Sequence, residues 1–260
     1  RLPSESFQTD AHPRAGDGLA PFQVRPTLLS LSFASLARPS LAAKSSPILA
    51  ADGNGLPTVL NHLLALRDGR LEGIESALRA IVPTFRRVHL NPTEVATRTQ
   101  RLVTVDDQSF PIQQQDKLPG FELWLEFEDV GRVPAKHVSE GTLLTLGVLT
   151  ALYSQPDASL LLLDDLHRGL HPSAQYELVA QIKALLKERP NLQVIATTHS
   201  PDIVDELAAE EVVVFHGTPE GTVAAPLVDH PEAKKWLKLL RVGEFWSYVG
   251  EDWVAKSEAS

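Results

Sequence analysis

Leu160-Leu161-Leu162-Leu163-Asp164-Asp165 is the stretch on which the reading of this chain turns. Four consecutive leucines make a short buried strand, because a strand covered on both faces is continuously apolar and need not alternate. Two carboxylates then stand at its carboxyl end. In an open parallel sheet that edge is where ligands bind, in the crevice outside the strand ends. Paired acids there can divide labour, Asp164 holding a magnesium ion through its hard oxygens while Asp165 orients or deprotonates an attacking water. The alternative is that both acids simply cap the loop that follows.

Outward from this strand, a Pro156-Asp157 turn precedes it and Gly169-Leu170-His171-Pro172 follows. Pro172 to Glu188 is predicted as a helix, with Leu178, Ile182, Leu185 and Leu186 on one face. Leu192 to Thr198 is a second apolar strand that ends in His199, after which Ser200 and Pro201 suit the N-cap and first residue of a helix. Strand, helix, strand is a right-handed crossover unit of a parallel sheet. It brings His199 to the crevice of Asp165, where it is a candidate sensor of a terminal phosphate. Upstream, Ser139 suits the N-cap of an apolar helix from Gly141 to Tyr153. Free N–H groups at such an N-terminus favour a phosphate, and Gly141 would let it approach closely.

In their order, Ser139-Glu140-Gly141-Thr142-Leu143, the leucine strand with its two acids, Gly169 to Pro172, and Ala196-Thr197-Thr198-His199-Ser200-Pro201 resemble the second half of an ABC-type ATPase head. The nearest likeness is to soluble AAA-family ATPases related to the SMC and overcoming-lysogenisation-defect proteins, many of them linked to prokaryotic defence. The resemblance spans roughly residues 50 to 250. It implies an α/β fold of the P-loop NTPase type, a parallel sheet with a helical insert and an antiparallel β subdomain. It also implies ATP and magnesium as cofactors, with Asp164 and Asp165 as the Walker B pair, Asp164 on the metal and Asp165 catalytic. Ser139, Glu140, Gly141 and Thr142 match the signature motif that touches ATP held by the other protomer. Gly169 and His171 fall in the D-loop, and His199 matches the switch histidine. The partners implied are a second copy in a head-to-tail nucleotide sandwich and an effector protein. Nucleic acid is a further partner that the family admits.

The sequence departs from that pattern twice. Walker B usually ends Asp-Glu, and here the second acid, Asp165, is shorter by one methylene. More seriously, no Gly-x-x-x-x-Gly-Lys-Ser/Thr occurs, so the cradle of N–H groups and lysine that holds phosphate is lacking. In the family that loop lies N-terminal to everything quoted above. Methionine is absent and residue 1 is Arg, which fits an N-terminally incomplete chain whose remaining portion holds the loop.

The 260 residues are 43% apolar, ample for a sizeable core. With no cysteine, disulfides, cysteine-ligated zinc and thiol catalysis are excluded. No apolar run is long enough to span a membrane and no signal peptide is evident, so a soluble cytoplasmic protein is expected. The net charge of -9 gives no support to a broadly basic nucleic-acid-coating surface. Residues 1–50 read as an irregular, partial N-terminal segment, 51–86 as a helical insert with helices at Leu56 to Leu66 and Arg70 to Val82, and 87–260 as the core with its C-terminal lobe. Thr27 to Leu41 could be strand or helix. From Arg87 the period becomes alternating, with strands punctuated by Pro92, Pro111 and Pro119. Arg86, Arg87, Arg98 and Arg101 form a modest basic cluster that reads as a solvated face. Val212 to Phe215 reads as another buried strand, then a hairpin turn at Pro219-Glu220-Gly221. Some relatives carry a nuclease domain after the head; no spaced acid cluster supports one here. Two functions follow: an ATP-hydrolysing head that dimerises around nucleotide, or a non-catalytic module that binds a partner.

Overall fold

The computed structural model describes residues 26–42, 45–105, 108–155 and 158–257. The Pro156-Asp157 turn and the irregular reading of residues 1–25 fall outside them. From the amino end, strand β1 (Pro26–Leu29) leads to a short helix α1 (Phe33–Leu36) and a two-residue strand β2 (Ser40–Leu41). The stretch that sequence left open between strand and helix therefore contains both. Helices α2 (Leu56–Leu66) and α3 (Arg70–Ile81) follow the turn in which Asp52 Oδ1 accepts from Asn54 N at 2.9 Å. Next come β3 (Phe85–Val105), β4 (Gln108–Phe127), β5 (Gly131–Pro134), helix α4 (Glu140–Ser154), β6 (Leu160–Leu163), α5 (Pro172–Glu188), β7 (Gln193–Ala196) and α6 (Pro201–Val204). The chain closes with strands β8 (Val213–Thr218) and β9 (Gly221–Pro226) and helices α7 (Ala233–Trp236), α8 (Val242–Val249) and α9 (Trp253–Ser257).

The four leucines are β6, the middle strand of a parallel sheet in the order β1-β6-β7. Leu161 pairs with Thr27 on one side and Val194 on the other. The crossover β6-α5-β7 is the unit that the sequence predicts, and α5 occupies the predicted residues. One face of the sheet is buried: Leu29, Leu161 and Leu163 are at most 3% exposed and share a core with Leu143, Leu146 and Leu149 of α4 and Leu178 of α5. The expectation of cover on both faces is corrected. Leu28, Leu162 and Ile195 lie in register across the other face, and Leu28 and Ile195 are more than half exposed. The helices that bury this sheet pack on the side of Leu29 and Leu163, which leaves the alternate residues without cover.

An antiparallel sheet runs β2-β4-β3, with β5 on β4. The prolines do not punctuate it: Pro92, Pro111 and Pro119 lie inside β3 and β4, opposite Phe121, Leu102 and Glu94. Proline is tolerated because, among the described residues, most of this hairpin is a two-stranded ribbon with no further strand on its edges, where a missing N–H breaks no further ladder. Its base is anchored by Phe85 and Leu125, both fully buried, and by the hydroxyls of Ser40 and Thr58, hydrogen-bonded at 2.6 Å. Beyond Gly120, Thr99 Oγ1 donates to Asp116 Oδ2 at 2.8 Å and Lys117 pairs with Glu94 at 3.1 Å.

The C-terminal hairpin β8-β9 forms its own sheet. Val212 to Phe215 is not a buried strand, since Val213 and Phe215 are 50% and 62% exposed while Val214 points into a second core. A two-stranded sheet has only one face to bury, so alternate residues stay in water. That second core gathers Val204, Val214, Leu227, Phe245 and Val254, with Trp236, Trp246 and Trp253 packed against it. The three tryptophans thus pack on the core under this hairpin.

Candidate functional site

The parallel β6-β7 ladder continues past the strand ends, with Thr197 N donating to Leu163 O at 2.9 Å and Leu166 N to Thr197 O at 3.0 Å. This continuation fixes the loop that carries both acids. Thr197 Oγ1 donates to Asp164 Oδ1 at 2.8 Å and accepts from Asp165 N at 2.9 Å, so one hydroxyl holds the first carboxylate and the backbone of the second. Ser30 Oγ, just beyond β1, donates to Asp164 Oδ2 at 3.3 Å. Asp164 is exposed and Asp165 half-buried. Asp165 has φ 52, the left-handed region that few residues other than glycine enter, and its carbonyl accepts from Arg168 N at 2.9 Å.

His199 stands at the end of β7, exposed, with its ring 6.1 Å from that of His167 at 86°. His199 N donates to His167 Nδ1 at 3.4 Å, and Thr198 Oγ1 lies 3.2 Å from the same nitrogen. Ser200 precedes α6 without capping it; its hydroxyl donates instead to Oε1 of Gln175, whose Nε2 donates to Leu170 O at 3.0 Å. Buried Gln175 therefore ties the loop after β6 to the loop after β7. The crossover brings Asp164, Asp165 and His199 to one sheet edge, as the sequence predicts.

The second group of residues adjoins the first through the same loop. Ser139 caps α4, its Oγ accepting from Thr142 N at 3.3 Å and donating to Thr142 Oγ1 at 2.7 Å. Glu140 pairs with Arg168 at 3.0 Å. Gly141 meets the loop backbone to backbone: a Cβ added there would lie 2.1 Å from Gly169 O. The space beside Gly141 is thus filled by the protein itself, and its lack of a side chain serves the packing of α4 on the loop. Gly169, at φ 70, makes the reciprocal contact. Gly141 and Thr142 are buried, Ser139 and Glu140 exposed. His171 is exposed and caps α5, its Nδ1 accepting from Ser173 N at 3.4 Å.

Three site residues escaped the sequence reading. Thr197 and Gln175 gave no signal beyond position, Thr197 being the residue just past a strand end. His167, two residues after the acid pair, lies between that motif and Gly169-Leu170-His171-Pro172 and belongs to neither. A cleft lined by Asp164, Asp165 and Arg168 beside Leu29, Leu144 and Leu170 opens at this edge. Among the described residues no group of three or more His, Cys, Asp or Glu is placed to cage a metal. The donor set fits an ion such as magnesium, which is commonly held by one or two carboxylates and completed by phosphate and water.

No helix among the described residues is long and apolar enough to cross a membrane. No curated protein matches the sequence. Among solved structures, the SMC head bound to the C-winged helix domain of ScpA overlaps with a TM-score of 0.45 at 12% identity, covering 69% of this chain and 51% of that one. The chain thus spans about half the length of that neighbour. An SMC ATPase studied for ATP-driven dimerisation and DNA-stimulated activation overlaps with a TM-score of 0.43 at 13% identity, covering 69% and 94%. Likeness at this level carries no argument about ligand or partner. The family model described as "AAA domain, putative AbiEii toxin, Type IV TA system" matches residues 33–205, about two thirds of the chain. That span holds Asp164, Asp165, His199, Thr197 and the start of α4, while Ser30 and Leu29 lie just before it, and the chain belongs to this AAA-domain family.

Proposed function

We propose that this chain is the Walker B and signature half of an ATP-hydrolysing head that closes around nucleotide with a second copy and drives an effector protein. The observation that carries the reading is the Thr197 hydroxyl, which joins Asp164 and Asp165 in one hydrogen-bonded unit beside His199. In this reading Asp164 holds magnesium, Asp165 orients the attacking water and His199 senses the terminal phosphate. Magnesium would neutralise charge on the phosphates. The exposed Ser139 and Glu140 at the start of α4 would meet ATP held by the partner copy. Roles in defence or DNA metabolism belong to the same proposal and rest on family membership alone.

A second reading, a non-catalytic partner-binding module, is favoured by the lack of a phosphate loop in the sequence and by the uncovered row Leu28, Leu162 and Ile195. Magnesium-dependent ATP hydrolysis separates the two. The 260-residue chain is expected to turn over negligibly. A version that also carries a phosphate-binding loop is expected to hydrolyse ATP. In that version Asp164→Asn should weaken magnesium-nucleotide binding, whereas Asp165→Asn and His199→Ala should spare binding and slow turnover. Unaltered turnover in all three would sink the catalytic assignment. No binding and no hydrolysis in either form would favour the second reading.

A further inference from the structure

At the amino ends of β1 and β6, opposite the edge of Asp164, lies a cavity of about 570 Å³. Thr27 of β1 and Ser154 and Gln155 at the end of α4 line it, as do Val59, Leu63 and Leu66 of α2. Among the described residues two of its polar atoms are buried without a hydrogen-bond partner, Ser154 Oγ and Gln155 Nε2.

Their neighbours are already engaged. Gln155 Oε1 accepts from Thr27 Oγ1 at 2.9 Å, and Gln155 O accepts from Arg189 Nη2 at 2.8 Å. Ser154 O accepts from Arg70 Nη1 at 3.4 Å. The acceptors of this turn are therefore satisfied, and what remains open is an amide donor and a hydroxyl. Buried polar groups left unpaired are costly, and a ligand that supplies acceptors recovers that cost. Arg70 lines the cavity, but its guanidinium is ion-paired with Asp68 at 2.7 Å, so little free positive charge faces a ligand. A purely hydrocarbon ligand would leave both polar atoms unpaired. A phosphate would find, besides that paired guanidinium, only the His62 imidazole.

We infer that this cavity binds an uncharged heteroaromatic molecule of nucleoside size, with its ring faces on Val59, Leu63 and Leu66 and its acceptors on Gln155 Nε2 and Ser154 Oγ. The volume falls within the range of about 300–1,000 Å³ usual for such sites. The inference is independent of the ATPase reading, since none of these residues belongs to the Asp164 edge.

The test is a methyl and backbone NMR titration of the 260-residue chain with adenosine and with uridine, each beside its 5′-monophosphate. At least one nucleoside is expected to shift the Val59, Leu63 and Leu66 signals saturably at millimolar concentration or below, and its monophosphate to bind no tighter. Gln155→Leu and Ser154→Ala should each weaken that binding at least tenfold while signals from the second core stay in place. If Gln155→Leu does not fold, Ser154→Ala decides. The proposal is overturned if neither nucleoside shifts these methyls, if binding survives the substitutions, or if the shifts centre on Asp164 and Thr197.

Discussion

Thr197 carries a testable share of the site because its hydroxyl serves two acids at once. Thr197→Val keeps the shape and removes both bonds, one of them to a charged group worth about 1.5–3 kcal/mol. In a hydrolysing form of the protein, magnesium-nucleotide affinity should fall roughly ten- to hundredfold, measured by titration, while Thr197→Ser restores most of it. An unchanged affinity in the valine variant would show that Asp164 needs no such support. Two residues other than glycine adopt positive φ among the described residues, Asp165 and Arg67, both at φ 52. They invite opposite treatment. Arg67 ends α2 with its N–H on Leu63 O at 3.3 Å and is exposed, so Arg67→Gly should relieve strain and raise stability by about 1 kcal/mol, read from thermal unfolding. At Asp165 the same strain fixes where an acid stands, and its removal would forfeit the carboxylate. Sequence could place Asp164, Asp165 and His199 because each ends a recognisable apolar run. It could not find Thr197, since a threonine beside a strand end looks the same whether it binds a carboxylate or water.

At the level of elements, local periodicity was readable and distant pairing was not. Helix α5 and the strands on either side of it follow from leucine and isoleucine spacing within some forty residues. The pairing of β1 with β6 joins residues more than 130 apart, and nothing in Pro26-Thr27-Leu28-Leu29 announces its partner. The prolines of the long hairpin misled for a related reason: their effect depends on whether a strand has a neighbour on that side, which is a tertiary property. The second core makes a prediction of its own. His230 packs edge-on against Phe245 and Trp253, with ring centroids 5.4 and 5.0 Å away, and its Nδ1 accepts from Glu232 N at 3.1 Å. Burial holds its pKa below the ordinary 6.5, with the Glu232 charge opposing that shift. The folded form therefore binds this proton less readily than the unfolded chain. The stability contributed by neutral His230 is present above pH 6.5 and is lost as pH falls through that value toward the folded pKa. Tryptophan-detected unfolding of this C-terminal unit should occur at lower temperature at pH 5.5 than at 7.5, and His230→Gln should flatten the difference. Equal pH dependence in the two proteins would place the sensitive group elsewhere.

Across the whole molecule, the site and the nucleoside-sized cavity occupy opposite edges of one small sheet, with α4 reaching both. Ser139 caps its first turn, which holds Glu140 and Gly141, and its last turn holds Ser154. Fifteen residues of helix set these ends about 22 Å apart. In the hairpin β3-β4 the pairing runs without a break from Arg87↔Glu126 to Val105↔Gln108. The thirteen residues from Thr93 to Val105, at about 3.3 Å each, reach roughly 40 Å, against a radius of gyration near 18 Å expected for a round chain of this length. Small-angle scattering from the monomer should accordingly give a radius of gyration clearly above 18 Å, and deleting residues 96–115 should bring it down; no change on deletion would mean that the arm lies folded against the body. Drag on such a projection delays sedimentation and hastens elution from a sizing column, so one copy will migrate like a heavier particle. Stoichiometry for this protein has to come from mass, by light scattering or native mass spectrometry, because its Stokes radius alone would overstate the number of copies.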